Sequence, residues 1–298
     1  MQLHAPLVLA QLALSPVVAV ATPEGQIALL DPSSLATRRT LPAEASALFA
    51  DGRRLFVVEP GHDGELGAVR ALDVGARVEE AWRADLEGDA FVVTARGAGV
   101  LLGRVDAGAY LGVVGGAGRA VAPPSSVGDT GAWLWSFREQ DGWWTLDVHS
   151  FDGASLGPAT PAGRVPAWGT GCGARAVWAE GRLTVVAPTA TGVDLVSQAG
   201  VVHLASTQPC VEDAVSLGGG QLAVLMGPVA ELVATVTDRP WRLDAQLAHS
   251  EAPTRRLSVG VREHTLLVAT GGPLLELDLA RGDARWGGVD AAAVAVLR

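Results

Sequence analysis

Short apolar runs bounded by Gly, Pro or Asp recur along the whole chain, and none carries helical apolar spacing over more than about ten residues, so the pattern predicts strands throughout. Seven runs follow a tight turn: Val17 to Val20, Leu55 to Val58, Val100 to Leu102, Trp133 to Trp135, Leu183 to Val186, Leu222 to Leu225 and Leu266 to Val268. From Val18 to Leu266 there are six intervals over 248 residues, a period of about 41. The run that comes next in each unit often ends in an aspartate: Asp31, Asp73, Asp147, Asp194 and Asp278.

A strand-built period near 40 is the signature of propeller blades. One four-stranded blade is apolar on two faces and cannot bury both alone, whereas blades packed around an axis cover each other. The expected fold is therefore all-β: a single β-propeller of about seven four-stranded blades, occupying residues 15–42, 43–86, 87–122, 123–165, 166–208, 209–250 and 251–289. Asp290 followed by Ala291 to Leu297 reads like the innermost strands that begin at Asp89 and Asp213, so residues 290–298 are expected to close the ring by joining blade 1. Residues 3–14 read as a further strand without an assigned place.

Composition narrows the chemistry. All 22 basic residues are Arg, and the chain has neither Lys nor Asn, a bias that fits a GC-rich bacterial genome. No P-loop lysine, Schiff-base lysine or Cys-His-Asn triad can be assembled from it. A net charge of −10, with no Arg run longer than two, disfavours nucleic acid. Residues 5–21 are uncharged, but they lack a basic start, and Gln11, Ser15 and Pro16 break the apolar run. The segment reads as buried strand in a cytoplasmic protein without membrane insertion, an export signal or anchor being the alternative.

The stretch Leu277-Asp278 through Gly282 to Trp286 resembles the pyrroloquinoline-quinone-type propeller repeat, with Gly four and Trp eight residues after the Asp. Leu72-Asp73 through Trp82 is a looser copy, with the Trp nine residues on and no Gly at the fourth place. The resemblance implies a quinoprotein-like propeller in which Asp and Gly form the turn between third and fourth strands and the Trp packs between blades. The quinone enzymes of that superfamily also use a vicinal disulfide and a metal-binding Asn, which this sequence cannot supply. The resemblance thus points to its non-enzymatic scaffold members and to no cofactor.

Two groups of residues are candidates for function. Glu44, Asp89, Asp129, Asp213 and Asp290 are separated by one, one, two and two periods, so symmetry would gather them at one mouth of the central channel, where they could attract a cation or a basic peptide. The competing reading is that acids simply open turns. Six of the nine Trp fall between residues 133 and 178. Trp133, Trp135, Trp143 and Trp144 sit on a hairpin that turns at Asp141-Gly142, where they either bind a partner or fill space between blades. Cys172 and Cys210 lie 38 residues apart, nearly one period, and read as two buried free thiols because equivalent sites in neighbouring blades are expected to diverge. The six His show no ligand spacing, and no metal site is expected.

The expected role is that of a non-catalytic scaffold for other proteins of a bacterial multiprotein assembly, among them partners with basic segments. The alternative is a lactonase- or hydrolase-like propeller with an acidic or metal site at the channel mouth.

Overall fold

The computed structural model describes residues 15–61, 67–86, 90–96, 99–104, 108–113, 119–120, 126–129, 134–150, 157–158, 160–166, 174–179, 182–197, 200–208, 210–218, 221–227, 231–236, 239–243, 256–260, 262 and 264–298. Its strands form seven four-stranded antiparallel sheets, the blades of a β-propeller. The inner strands of blades 2 to 7 are Ala47–Asp51, Ala90–Arg96, Ser126–Asp129, Arg175–Ala179, Cys210–Gly218 and Arg256–Val259. The inner strand of blade 1 is Ala293–Leu297, the last strand of the chain, which pairs antiparallel with Val17–Thr22. Each inner strand lies against the next in blade order, and Ala293–Leu297 touches the inner strands of both blade 7 and blade 2.

The seven apolar runs that set the period fall, apart from Trp133, which lies outside the described residues, on second strands of blades: Val17–Thr22, Arg54–Glu59, Gly99–Arg104, Leu134–Gln140, Arg182–Thr189, Gln221–Gly227 and Thr265–Ala269. A second strand is covered on both faces by neighbouring blades and on both edges by its own sheet, so the longest apolar runs gather there. Gln221–Gly227 is buried at all seven residues. Alternate positions serve opposite neighbours. In blade 7, Leu275 and Leu277 pack with Ala223 and Leu225 of blade 6, whereas Leu274 packs with Val18, Val20 and Leu30 of blade 1.

Two of the aspartates at the ends of third strands, Asp278 and Asp31, hold turns. The Asp278 carboxylate accepts the backbone N–H groups of Ala280 and Arg281, and Gly282 closes the turn at φ +73°, a conformation that costs a side-chain-bearing residue energy. Asp31 accepts from the Ser33 and Ser34 amides in the same way. The Ser33 hydroxyl, followed by Arg38, holds the Asp31 carboxyl well below the usual carboxylate range. Asp73 is also held low, through its ion pair with Arg54 at 2.8 Å.

The repeat's tryptophan behaves differently in its two copies. Trp82 packs between blades 2 and 3 in one cluster with Phe56, Ala95 and Val100, its ring 5.9 Å from that of Phe56. Trp286, in the copy with the better spacing, is instead 53% exposed. Trp82 stands opposite Ala71, two residues before Asp73, and Trp286 opposite Leu275, three before Asp278. A bulge at Ala71/Leu72 makes that difference, and a one-residue offset sends a side chain to the other face of a blade.

The cysteines depart from expectation. Cys172 lies outside the described residues, but Cys210 is disulfide-bonded and the chain has no third cysteine. Cys210 opens the inner strand of blade 6, and residue 172 comes just before that of blade 5, which it adjoins. Neighbouring blades diverge at the rim and converge near the axis, and the Cys210 thiol is not free.

Candidate functional site

The order of strands decides which loops share a face. The chain enters each inner strand from the outer strand of the preceding blade, and the turn joining second to third strands lies on that same side. The turns joining first to second and third to fourth strands lie on the other. Glu44 precedes Ala47–Asp51, and Asp290 ends the outer strand Asp283–Asp290 opposite Pro273, so both belong to the entry face, where both are exposed. By chain position Asp89 belongs there too, but it lies outside the described residues.

The other two acids do not join them. Asp129 is the last residue of Ser126–Asp129, at the opposite end of an inner strand, because this strand starts earlier than the acid spacing suggests. Asp213 is the fourth residue of Cys210–Gly218, inside the strand. Its carboxylate accepts the Leu257 N–H at 2.8 Å and its neighbour Ala214 N–H at 2.9 Å, which ties the inner strand of blade 6 to that of blade 7.

Trp143 also opens onto the entry face. Asp141 and Gly142 both take positive φ, 53° and 74°, the two-residue turn whose twist matches a hairpin. That turn sets Trp143 at the start of Trp143–His149, opposite Gln140 and Pro166. Trp143 is 40% exposed, and the Arg164 guanidinium stands over its ring at 5.1 Å from the centroid. Arg164 comes from the outer strand of the same blade, Thr160–Pro166, one alternation along from the residue facing Trp143. Trp135 and Trp144 lie on the strands of this hairpin, and Trp133 lies outside the described residues. An exposed indole under a guanidinium offers an apolar plate, hydrogen-bond donors and positive charge, the residue types that anchor protein interfaces.

One further constellation escaped the sequence reading. On the outer half of blade 5, Asp194 Oδ1 lies 2.7 Å from His203 Nδ1, and Thr191 Oγ1 lies 3.5 Å from His203 Nε2. The order hydroxyl, imidazole, carboxylate is that of a nucleophile and its base. However, the His203 side chain is 44% exposed, so water reaches the imidazole from outside. Exposed pairs of this kind contribute little to stability. Replacing His203 with Ala should lower the unfolding free energy measured in urea by less than about 1 kcal/mol. A larger loss would mean that the pair is a structural tie.

No protein-family model and no curated protein matches the chain. Solved structures do. A functionally unknown protein from Desulfotomaculum acetoxidans superposes with a TM-score of 0.65 at 10% identity, over 95% of this chain and 99% of its own. A Bacteroides uniformis protein described as a candidate 6-phosphogluconolactonase gives 0.62 at 11%, over 95% and 99%. The dihydro-heme d1 dehydrogenase NirN, in complex with DHE, gives 0.52 at 11%, over 94% of this chain and 74% of its own. Likeness at these identities establishes the fold, and one propeller fold carries unrelated activities. The chain is similar to these proteins as a propeller.

Proposed function

We propose that this chain is a non-catalytic binding propeller of the PQQ-repeat type that holds a partner protein against its entry face, within a bacterial multiprotein assembly. The observation that carries the reading is Trp143, exposed under Arg164 at the entry face, on the same side as Glu44 and Asp290. An aromatic anchor on the same face as carboxylates suits a partner segment with apolar and basic residues, since the acids steer and the indole holds. Asp89, Asp129 and Asp213 remain part of the proposal only as a field of negative charge along the channel. The disulfide at Cys210 supports an oxidising compartment for this work over the cytoplasm, where thiols are kept reduced.

The test is affinity purification from the native organism with tagged wild type and Trp143→Ala. A hot-spot aromatic contributes roughly 2 kcal/mol or more, so the variant should retain its partner at least about 30-fold less well. Trp143 is exposed, and the variant's melting midpoint should stay near that of the wild type. Equal recovery of the partner by both forms would remove Trp143 from the interface.

The hydrolase reading has one specific support, the Thr191–His203–Asp194 line. Incubation with a panel of lactones separates the readings. Turnover lost in His203→Ala would establish it, and no turnover would leave the binding propeller.

A further inference from the structure

We infer that blade 5 is a self-association edge, at which the outer strand Gly200–Ala205 pairs with the same strand of a second copy of the chain. An outer strand presents one unpaired row of backbone N–H and C=O groups, a ready template for another strand, and proteins commonly block it with charge or proline. Six of the seven outer strands are blocked in this way. Arg39, Glu80, Arg119, Pro161, Pro240 and Asp283 supply one blocking residue from each. The seventh, Gly-Val-Val-His-Leu-Ala, has no acid, no Arg and no Pro.

The side chains of this strand are also unlike those of a solvated edge. Val201 is 62% exposed and Val202 is 54% exposed. Consecutive strand residues point to opposite faces. Apolar surface therefore lies bare on both sides of the same edge, and a neighbour that covers both must come edge-on as a strand. On the other side, the strand is paired with Gly192–Ser197 through all six of its residues.

Charge selects a second copy as the occupant. Each chain carries −10, so copies repel wherever charged surfaces meet. In an antiparallel twofold contact the central residues of the strand face their own images and its two ends face each other, so an acid or an Arg near the centre confronts its own sign. A strand without such residues meets its image with no like-charge contact, and among the seven outer strands Gly200–Ala205 is that strand. The single titratable group in it, His203, has Asp194 of its own chain at 2.7 Å. Six residues span roughly 20 Å of ladder, less contact than a standard interface of about 1,600 Å² provides. The association is therefore reversible, with a dissociation constant in the micromolar-to-millimolar range.

Sedimentation equilibrium of the whole chain, from about 1 µM to about 0.5 mM, reads this range directly. The wild-type mass should rise with concentration from 30.5 kDa towards twice that value. Val202→Lys and Val201→Lys, which restore a blocking charge on either face, should each weaken association at least about 10-fold with an unchanged melting midpoint. Glu80→Lys, on the outer strand of blade 2, should associate as the wild type does. A wild-type mass fixed at the monomer value across the range overturns the inference. So does a dimer that both lysine variants preserve, because that contact would lie elsewhere.

Discussion

Arg285→Ala lowers the stability of the folded chain by about 3 kcal/mol, with a fall in melting midpoint of roughly 5 °C for a chain of this size. The expectation follows from what the guanidinium holds. Arg285 Nε donates to Glu276 Oε2 at 2.7 Å, and its other nitrogens donate to the carbonyls of Pro32 and Ser33 in blade 1. Glu276 sits on the third strand of blade 7 with its side chain only 4% exposed, and its second oxygen receives Arg262 at 3.0 Å. Removing Arg285 leaves a buried carboxylate with one partner instead of two, and it opens a clasp between two blades. Loss of one partner of a buried pair typically costs about 3–5 kcal/mol, and the surviving Arg262 keeps this case at the lower end. Urea unfolding of the single variant measures the loss. The double variant Arg285→Ala with Glu276→Met should recover much of it, because the orphaned charge is gone and the methionine fills its space. A single-variant loss below about 1 kcal/mol would mean that solvent already screens the pair.

Glu276 also shows what the sequence conceals. In Leu274-Leu275-Glu276-Leu277 a buried acid interrupts an apolar run, and nothing in one dimension names its partners, which come from the outer strand of its own blade and from the loop at Arg262. Second strands were legible for the opposite reason: coverage on every side favours consecutive apolar residues, so the run itself is the signal. Outer strands such as Thr37–Pro42 are exposed along most of their length and give no such signal. The acidic spacing carried the period but not the phase. Asp129 and Asp290 sit a near-whole number of blades apart, yet one ends an inner strand and the other ends an outer strand before an inner one begins. The tryptophans show the same limit at finer scale, since a single bulge sent Trp82 between blades while Trp286 faces solvent. Trp143 could be singled out from the sequence; its companion could not, because Arg164 lies 21 residues away and reaches it only through strand pairing.

Reduction of the disulfide at Cys210 is the other large effect expected, and it tests where the ring is held. The two cysteines lie 38 residues apart in the sequence, almost one blade, and closing a loop of that length restricts the unfolded chain by about 4 kcal/mol in the chain-entropy model. For a chain of 298 residues this corresponds to a melting midpoint lower by roughly 6 °C under reductant. Cys210→Ser should melt at the lower temperature with or without reductant, and the untreated wild type should show no reactive thiol after denaturation. Cys210 opens the inner strand of blade 6, which lies against that of blade 5, so loss of the bond should first loosen the packing between these blades. There Val193 and Leu204 meet Val224 and Met226, and hydrogen exchange should quicken at these residues ahead of those in blades 1 and 2. A midpoint unmoved by reductant would show that apolar packing alone fixes the spacing of the two blades, and the argument from the disulfide to an oxidising compartment would go with it. The near-period spacing of the cysteines was visible from the start. What it lacked was the radius: equivalent positions diverge at the rim and approach bonding distance beside the axis, and only the placement of Cys210 on an inner strand tells which applies.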